Sequence, residues 1–351
     1  MMKAMKFGQM AIVFAVAFLF LFQPSLSLAK VQIKLAHGNP GVDILDKNAS
    51  DEQCFALVFK NEVESKSQGQ IEVKIHPANQ LGSEGEMLEA CRLGSIQVAI
   101  PAEGPMGNLY PPIQATSIPY LISSYPVAYK VLDGKFGKEL NQNLIKEKGL
   151  RILATMDNLG GFRNFITKKQ VKTAADLKGL KIRVMGVPSH AKMVSYLSAS
   201  PTPMPYTEVY PAMQQGVIDG LENPLGVVYT QKLWEIAGYY VLDRHLFSTD
   251  FVVMNEKFFQ GLSEEYKRII LEAAEIAKIA GRASFISRRP KMMEETAQKM
   301  EIYVPTQSEM QTFKDAVRKP MEDWLRQNIG AEWFDKIIKA VKEAETELYS
   351  Y

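Results

Sequence analysis

The chain has 351 residues, and its 41 Lys and Arg against 39 Asp and Glu give a formal net charge of +2 at pH 7. This even balance lacks the basic surface of nucleic-acid-binding proteins and of proteins that adhere to anionic membranes, so we expect neither partner. The length exceeds what one hydrophobic core usually supports and indicates two domains.

The N-terminal segment, residues 1–29, has the pattern of a signal peptide. Two lysines precede the apolar run Met10–Phe22, and the small residues Ser27 and Ala29 follow it. The run is shorter than the roughly 20 residues that span a bilayer. We therefore predict cleavage after Ala29 and a mature protein outside the cytoplasm, without membrane insertion.

After the leader, short strands and helices alternate. Apolar and polar residues alternate over Val31–Ala36 and predict a strand, and Ile71–Ile75 and Gln97–Ile100 predict two more. Between them, helices are expected from Asp43 to Gly69 and from Gly85 to Leu93. The βαβαβ order is typical of a mostly parallel sheet covered by helices on both sides.

A second α/β unit is predicted over residues 161–248, where the alternation begins again. It follows an expected helix over 125–148 and a strand over 150–155. Its expected elements are strand 162–166, helix 173–177, strand 180–185, helix 189–197, helix 206–215 and strand 217–221. A short apolar run over 251–254 is expected to be a buried strand that returns to the first unit.

The end of the chain is predicted to be helical. An amphipathic stretch runs from Glu264 to about Arg288, and Pro290 is expected to kink or end it. A helix of about 35 residues would be about 50 Å long, which is enough to brace two units. The expected division is 30–160 with 249–288 for the first lobe, and 161–248 with 289–351 for the second.

Cys54 and Cys91 are the only cysteines. An oxidising compartment permits a disulfide between them. Their predicted helices, however, should cover opposite faces of one sheet, which favours two free buried thiols. Both interpretations stay open from the sequence.

Motifs of common enzymes are absent. The sequence has no Gly-x-Ser-x-Gly, no phosphate-binding Gly loop with Lys, no Cys-x-x-Cys and no His-Glu-x-x-His. The four histidines lie far apart, without a second ligand at metal spacing. We expect no catalytic residue, metal or cofactor, and an active site assembled from distant residues is the alternative left open.

Three side chains near predicted strand ends are candidates for holding a carboxylate. Alternation puts Arg183 on the polar face near the carboxyl end of its strand, where open α/β sheets bind ligands. A guanidinium there can hold a carboxylate through two parallel hydrogen bonds. Arg163 follows Gly160-Gly161-Phe162, and Pro224 holds Asn223 extended. An ion-paired surface Arg, a solvated hinge residue and an ordinary turn are the respective alternatives.

Seven stretches follow the pattern of one family. They are, in order, Ser67–Gly69, Gln80–Gly82, Ile118–Leu121, Asp176–Val184, Ser200–Met204, Glu208–Tyr210 and Gly216–Pro224. In these stretches the chain resembles the solute-binding proteins of tripartite ATP-independent periplasmic (TRAP) transporters, and the resemblance extends over nearly the whole chain after the leader.

The resemblance implies a two-lobed α/β fold of the periplasmic-binding-protein type (class II). Each lobe would be a mostly parallel sheet flanked by helices, and a long helix would brace both lobes. The lobes would close on a small organic carboxylate, which the protein would deliver to membrane permease subunits driven by an ion gradient. The resemblance therefore implies a binding protein and not an enzyme.

The resemblance also implies roles for particular residues. The family's carboxylate-binding Arg falls on Arg183, its Asn on Asn223, and a second basic contact on Arg163. Asn39 and Glu103, in loops after strands of the first lobe, are further expected contacts.

The ligand itself stays open between a sugar acid, a hydroxy or keto acid and an aromatic acid. Many members that take sugar acids carry Phe where this chain has Tyr206. Tyr206 and Phe162, together with Trp234, are expected to line an aromatic-tolerant pocket, and a core position is the alternative for Trp234. A ligand-sensing module that docks on a membrane receptor would use the same cleft and is the alternative function; an extracytoplasmic enzyme is a third.

Overall fold

The computed structural model describes residues 30–350. The predicted signal peptide therefore lies outside the described residues. The strands are β1 (Val31–His37), β2 (Ile71–His76), β3 (Val98–Ile100), β4 (Leu150–Thr167), β5 (Lys181–Val184), β6 (Ser200–Pro203), β7 (Gly220–Asn223), β8 (Tyr239–Asn255) and β9 (Glu301–Tyr303).

The helices flank these strands on both sides. They are α1 (Asp51–Lys66), α2 (Glu84–Leu93), α3 (Glu103–Leu109), α4 (Tyr125–Leu132), α5 (Lys135–Lys148), α6 (Pro188–Tyr196), α7 (Val209–Gln214), α8 (Leu225–Thr230), α9 (Glu256–Gln260), α10 (Glu264–Ala297), α11 (Gln307–Asn328) and α12 (Ala331–Tyr349). Short 3₁₀ turns span Pro111–Ser117, Ala174–Leu177, Tyr206–Glu208 and Leu233–Glu235.

All nine strands belong to one mixed sheet with the order β2-β1-β3-β8-β4-β7-β5-β6, and β9 pairs with β8. In the first half β1 is parallel to β2 and β3, and in the second half β5 is parallel to β6 and β7. The long strands β4 and β8 run antiparallel at the centre and join the halves. The predicted α/β fold with a flanked, mostly parallel arrangement in each half is confirmed.

The prediction of separate strands over 150–155 and 162–166 is wrong, because both belong to β4. Between them the pairing with β8 shifts register from Asp157 to Phe162. Leu159, Gly160 and Gly161 have φ values of 43°, 111° and 68° in this bulge. Glycine suits such left-handed backbone. In the sequence the two glycines indicate the end of a strand, but in the structure the strand continues through them as a bulge.

Helix α1 begins at Asp51, later than the predicted start at Asp43. The Ser50 Oγ accepts a hydrogen bond from the Gln53 amide at 3.0 Å and so caps the helix. Upstream, the Asp43 carboxylate accepts from the Leu45 amide at 2.9 Å. Such a local turn competes with a helix for the same backbone groups, which explains the late start.

Other boundaries also differ from the predictions. The helix expected over 125–148 is divided into α4 and α5 at Gly134, whose extended backbone precedes α5. The strand expected over 217–221 lies at Gly220–Asn223, and the helix expected over 206–215 opens with a 3₁₀ turn.

Helix α10 spans 34 residues and braces both halves, as its length predicted. Ile270, Ala273 and Ala277 pack in one core with Phe55 of α1, whereas Phe285 packs in another with Val228 of α8. Of the two predicted effects of Pro290, a kink or an end of the helix, the end is wrong, since α10 continues through this exposed position to Ala297. At the C-terminus α12 packs on α4 and α5.

Both cysteines are buried free thiols. Phe55 in α1, the neighbour of Cys54, packs with Ile33, whereas Cys91 in α2 packs with Ala36, on the other face of β1. The prediction that the two helices cover opposite faces is confirmed, and this separation explains why no disulfide forms. Burial raises the pKa of Cys91 to about 12, so the thiol stays protonated.

The bulge in β4 leaves no room for a side chain at Gly160. A Cβ there would lie 2.2 Å from a ring atom of Phe285, which is 2% exposed and cannot move aside. We expect Gly160→Ala to lower the free energy of unfolding by about 2–5 kcal/mol, through backbone strain and overpacking. Urea denaturation of the ligand-free protein measures it.

Gly85→Ala is the matched control for this substitution. Its Cβ would meet no atom within 4 Å, and Gly85 lies in helix α2. It should raise the free energy of unfolding by about 0.5–1 kcal/mol, because alanine favours helix. Equal effects of the two substitutions would contradict the account of the bulge.

Candidate functional site

A cavity of about 580 Å³ opens beside the ends of the strands, and we call it the cleft. Its wall comprises segments that follow β1, β3, β5, β6 and β7, together with the bulge of β4. The carboxyl ends of strands from both halves of the sheet therefore converge on one volume. Pockets of this size take small organic ligands.

Arg183 lies at the end of β5 and lines the cleft, with its residue surface 3% exposed. Its Nε and Nη2 donate to the Met204 carbonyl at 3.1 and 2.8 Å, and the ring of Tyr206 lies 5.6 Å from its Cζ. Among residues 30–350 it has no acidic side chain within ion-pair distance, and its Nη1 makes no hydrogen bond. The carbonyl fixes the guanidinium and leaves hydrogen-bond donors free.

Burial, reinforced by the nearby charge of Arg163, lowers the pKa of Arg183 to about 10. The guanidinium therefore remains charged at neutral pH. A buried cation is unfavourable without a counter-charge. The cleft is consequently preorganised for an anion at this position.

Asn223 ends β7 and pairs with Asn164 of β4 in the sheet. It is 4% exposed and lines the cleft, and its Nδ2 has no hydrogen-bond partner among the described residues. Buried amide donors are nearly always satisfied, so an unpaired one at a cavity wall marks a place for an acceptor from a ligand.

Arg163 also reaches the cleft wall, but Glu222 binds its guanidinium. Nε and Nη2 both donate to the Glu222 carboxylate, the latter at 3.0 Å, and Nη1 donates to Ser248 Oγ at 3.1 Å. Burial alone would lower the pKa of Arg163, but Glu222 and Glu103 hold it above its usual value. The second arginine is thus fixed and largely neutralised by the protein itself.

Beneath the cleft, Glu222 is the centre of a buried polar network. His190 Nδ1 and His245 Nε2 each lie 3.3 Å from its carboxylate. Although burial opposes the charge, Arg163 and His190 hold the pKa of Glu222 well below its usual value. Burial likewise opposes the charge of His245, yet Asp243 and Glu222 raise its pKa to about 9. The network connects β4, β7, β8 and α6.

Glu103 belongs to this network and not to the cleft wall. Its carboxylate accepts from Ser248 Oγ at 2.8 and 2.6 Å and from the Thr249 amide at 3.2 Å. Glu103, expected as a ligand contact, is therefore not among the residues that line the cleft, and these bonds hold its carboxylate against β8.

The predicted aromatic wall is formed in part. Tyr206 lines the cleft, as does Asn39, but Phe162 does not. Phe162 alternates with Arg163 along β4 and faces the other way, where its ring packs edge-on against Tyr125 and Phe247 at 5.3 and 5.1 Å. Phe162, expected in the pocket wall, is therefore placed on the opposite side of β4 from the cleft.

Trp234 lies outside the cleft wall too. Its ring packs 6.0 Å from that of Tyr229, at the edge of the core around α8. The structure therefore agrees with the alternative given for Trp234 from the sequence, a position in the core.

Sequence reasoning missed the acidic wall of the cleft. Glu52 and Glu84 line the cavity from the N-terminal turns of α1 and α2. Their position at helix starts after β1 and β2 was a usable signal, since helix N-termini point toward the carboxyl ends of parallel strands. Asn158 also lines the cleft, and its place in the bulge of β4 had no sequence signal.

Comparisons with known proteins identify the family of the chain. The profile of bacterial extracellular solute-binding protein family 7 matches residues 46–328. The chain belongs to this family. A TRAP periplasmic solute-binding protein of Polaromonas sp. JS666, bound to D-erythronate, covers 88% of this chain and 98% of its own, with 29% identity and a TM-score of 0.80.

Two further relatives of this family 7 protein cover most of it. The 2,3-diketo-L-gulonate-binding periplasmic protein of Escherichia coli is 30% identical over 304 residues, which are 86% of this chain and 90% of the relative. The sugar acid binding protein DctPAm of Advenella mimigardefordensis, in complex with galactonate, has 26% identity and a TM-score of 0.84, and covers 91% of this chain and 100% of its own.

The chain is therefore a periplasmic solute-binding protein of the TRAP type, and the resemblance seen in the seven stretches is confirmed. The family is one of binding proteins. Within residues 30–350, no helix combines the length and apolarity needed to cross a membrane.

Because Glu222 is the centre of the buried network, we expect its removal to destabilise the fold strongly. Glu222→Ala leaves Arg163 and His245 buried without their shared carboxylate, and should lower the free energy of unfolding by about 3–5 kcal/mol. Glu322→Ala, which removes the partner of Arg318 at the surface, should cost less than about 1 kcal/mol. Denaturant titration of both variants checks this, and similar losses would contradict a buried network.

Proposed function

We propose that the protein binds one small organic carboxylate in the cleft through Arg183 and delivers it to the permease of a TRAP transporter. The observation that carries the proposal is a buried guanidinium without an acidic partner in the described chain, beside the unpaired Nδ2 of Asn223. The names of relatives bound to galactonate and D-erythronate support an organic acid as ligand.

Each polar group at this end of the cleft has a distinct part. The free edge of the Arg183 guanidinium would donate two parallel bonds to the carboxylate, a geometry that Lys cannot reproduce. Asn223 Nδ2 would donate to a carboxylate or hydroxyl oxygen of the ligand. The ring of Tyr206 packs against Arg183, and Asn39 contributes from the opposite half of the sheet. Arg163 would act mainly by holding the wall of the cleft in place, since Glu222 occupies its donors.

Binding would bring two lobes together. The lobes we propose are residues 30–160 with 249–288 and residues 161–248 with 289–351. The bulge of β4 and the long helix α10 cross between them, so they would bend on closure. The contact of α12 with α4 spans this division, and the pivot would lie near it.

We further propose that the ligand leaves unchanged. The histidines nearest the cleft, His190 and His245, are 0% and 1% exposed and face Glu222 beneath it. They are not placed to exchange protons with a ligand. We also propose that residues 1–29 act as a cleaved signal peptide that exports the protein to the periplasm.

Removing the guanidinium tests the proposal. Arg183→Ala should weaken binding of organic acids by at least about a hundredfold, because the ligand charge loses its partner in a desolvated site. Arg183→Lys should weaken it by about tenfold or more. Titration calorimetry with galactonate, D-erythronate and related acids measures the affinities, and circular dichroism checks the fold.

Arg326→Ala removes the same charge from an exposed helix position and is the control. It should leave affinity unchanged. Retained affinity in Arg183→Ala would refute the assignment of the carboxylate site.

A further inference from the structure

The cleft wall contains more acidic than basic residues. Its charged residues are Arg163 and Arg183 against Glu52, Glu84 and Glu89, and Glu89 is paired with Arg92. Because Glu222 occupies Arg163, only Arg183 among the described wall residues offers a cation without an acidic partner. A ligand with two carboxylates would therefore find a partner for one of them only.

Glu84 is the acid best placed to act on the ligand. Its Oε2 accepts from the Ala102 amide at 2.9 Å, whereas its Oε1 makes no hydrogen bond within residues 30–350. The residue is half-buried at the start of α2 and lines the same cavity as Arg183. One carboxylate oxygen is thus left to accept a hydrogen bond.

Glu52 stands beside Glu84 and is held in place. It is 1% exposed, and its Oε2 accepts from the Asn39 amide at 3.3 Å. His37 Nδ1 also lies 3.3 Å from this oxygen. Burial and the nearby charge of Glu52 raise the pKa of Glu84 to about 7. The crowding of acids at this wall makes any further negative charge unfavourable.

The remaining polar wall does not supply another cation. It consists of amides and hydroxyls, and some of the amides are engaged: Asn108 Nδ2 donates to the Gly186 carbonyl and Asn158 Nδ2 to Asp250. Asn223 differs, since its unpaired buried Nδ2 faces the cavity. The wall thus offers a hydrogen-bond acceptor to a ligand near Glu84 and hydrogen-bond donors near Arg183.

Resting on the proposed function, we propose that Glu84 determines specificity. It restricts the cleft to acids with a single carboxylate whose other end donates hydrogen bonds, and it rejects dicarboxylates. The donor can be a hydroxyl or an ammonium group, and both satisfy the free oxygen of Glu84. A second carboxylate there would meet a like charge in a partly desolvated site.

The test compares three ligands on the refolded, ligand-free protein at pH 8, where Glu84 is ionised. D-erythronate represents a hydroxylated monocarboxylate, γ-aminobutyrate an ammonium monocarboxylate, and succinate a dicarboxylate. Calorimetry should show that at least one monocarboxylate binds. The affinity for succinate should be lower than the affinity for that monocarboxylate by about a hundredfold or more.

Glu84→Gln keeps the shape and removes the charge. It should tighten succinate binding by about tenfold or more and weaken the preferred monocarboxylate, so that the two affinities converge. Glu275→Gln removes one charge from an exposed position on α10 and should leave both affinities unchanged. Thermal melting without ligand checks that both variants fold.

The outcomes separate this inference from the proposed function. If succinate binds the wild-type protein as tightly as the monocarboxylates, or if Glu84→Gln leaves the ratio unchanged, the role of Glu84 is refuted while carboxylate binding stands. If no acid binds the wild-type protein at all, the proposed function fails and this inference fails with it. Preference for D-erythronate or for γ-aminobutyrate identifies the donor.

Discussion

Glu222 and Arg163 form a buried ion pair in the middle of the sheet, and the chemistry of the cleft depends on it. Both residues are at most 1% exposed, and they connect β4 to β7 directly beneath the cavity. Isolated charges at such depth would be strongly unfavourable, so each requires the other. By occupying Arg163, Glu222 makes Arg183 the one cation that still lacks a counter-ion in the described wall.

The same pair links the site to the backbone. Arg163 lies just beyond the β4 bulge, at the point where the long central strands resume their pairing. Ser248 of β8 bridges Arg163 to Glu103 of α3, the helix that follows β3, so the network extends from β7 in the second half of the sheet to a helix of the first half. A change in the relative position of the halves would therefore shift the groups that hold the Arg163 guanidinium at the cleft wall.

Much of this could be predicted from residues alone. Alternation in β5 identified Arg183, and Pro224 with the preceding strand identified Asn223, because both arguments need only local geometry. The pairing of Arg163 with Glu222 could not be predicted, since it joins residues 59 apart through the register of β4 and β7. The bonds of Glu103 could not be predicted for the same reason, as its partners Ser248 and Thr249 come from a strand distant in sequence.

The strand and helix ends that were predicted wrongly have related causes. Gly160 and Gly161 carry positive φ values that usually end a strand, but pairing with β8 continues past them. Pro290 usually ends a helix, but the packing of α10 on both halves outweighs one missing hydrogen bond. Tertiary contacts determine where these elements end, and such contacts cannot be inferred from the local sequence.

Carboxylate binding in the cleft is tested most directly by mass spectrometry of the ligand released when the purified protein is denatured. We expect an unmodified organic acid with a single carboxylate that raises the melting temperature when added back to the stripped protein, because it binds the folded state only. Recovery of a ligand without a carboxylate, or of a chemically converted acid, would contradict it.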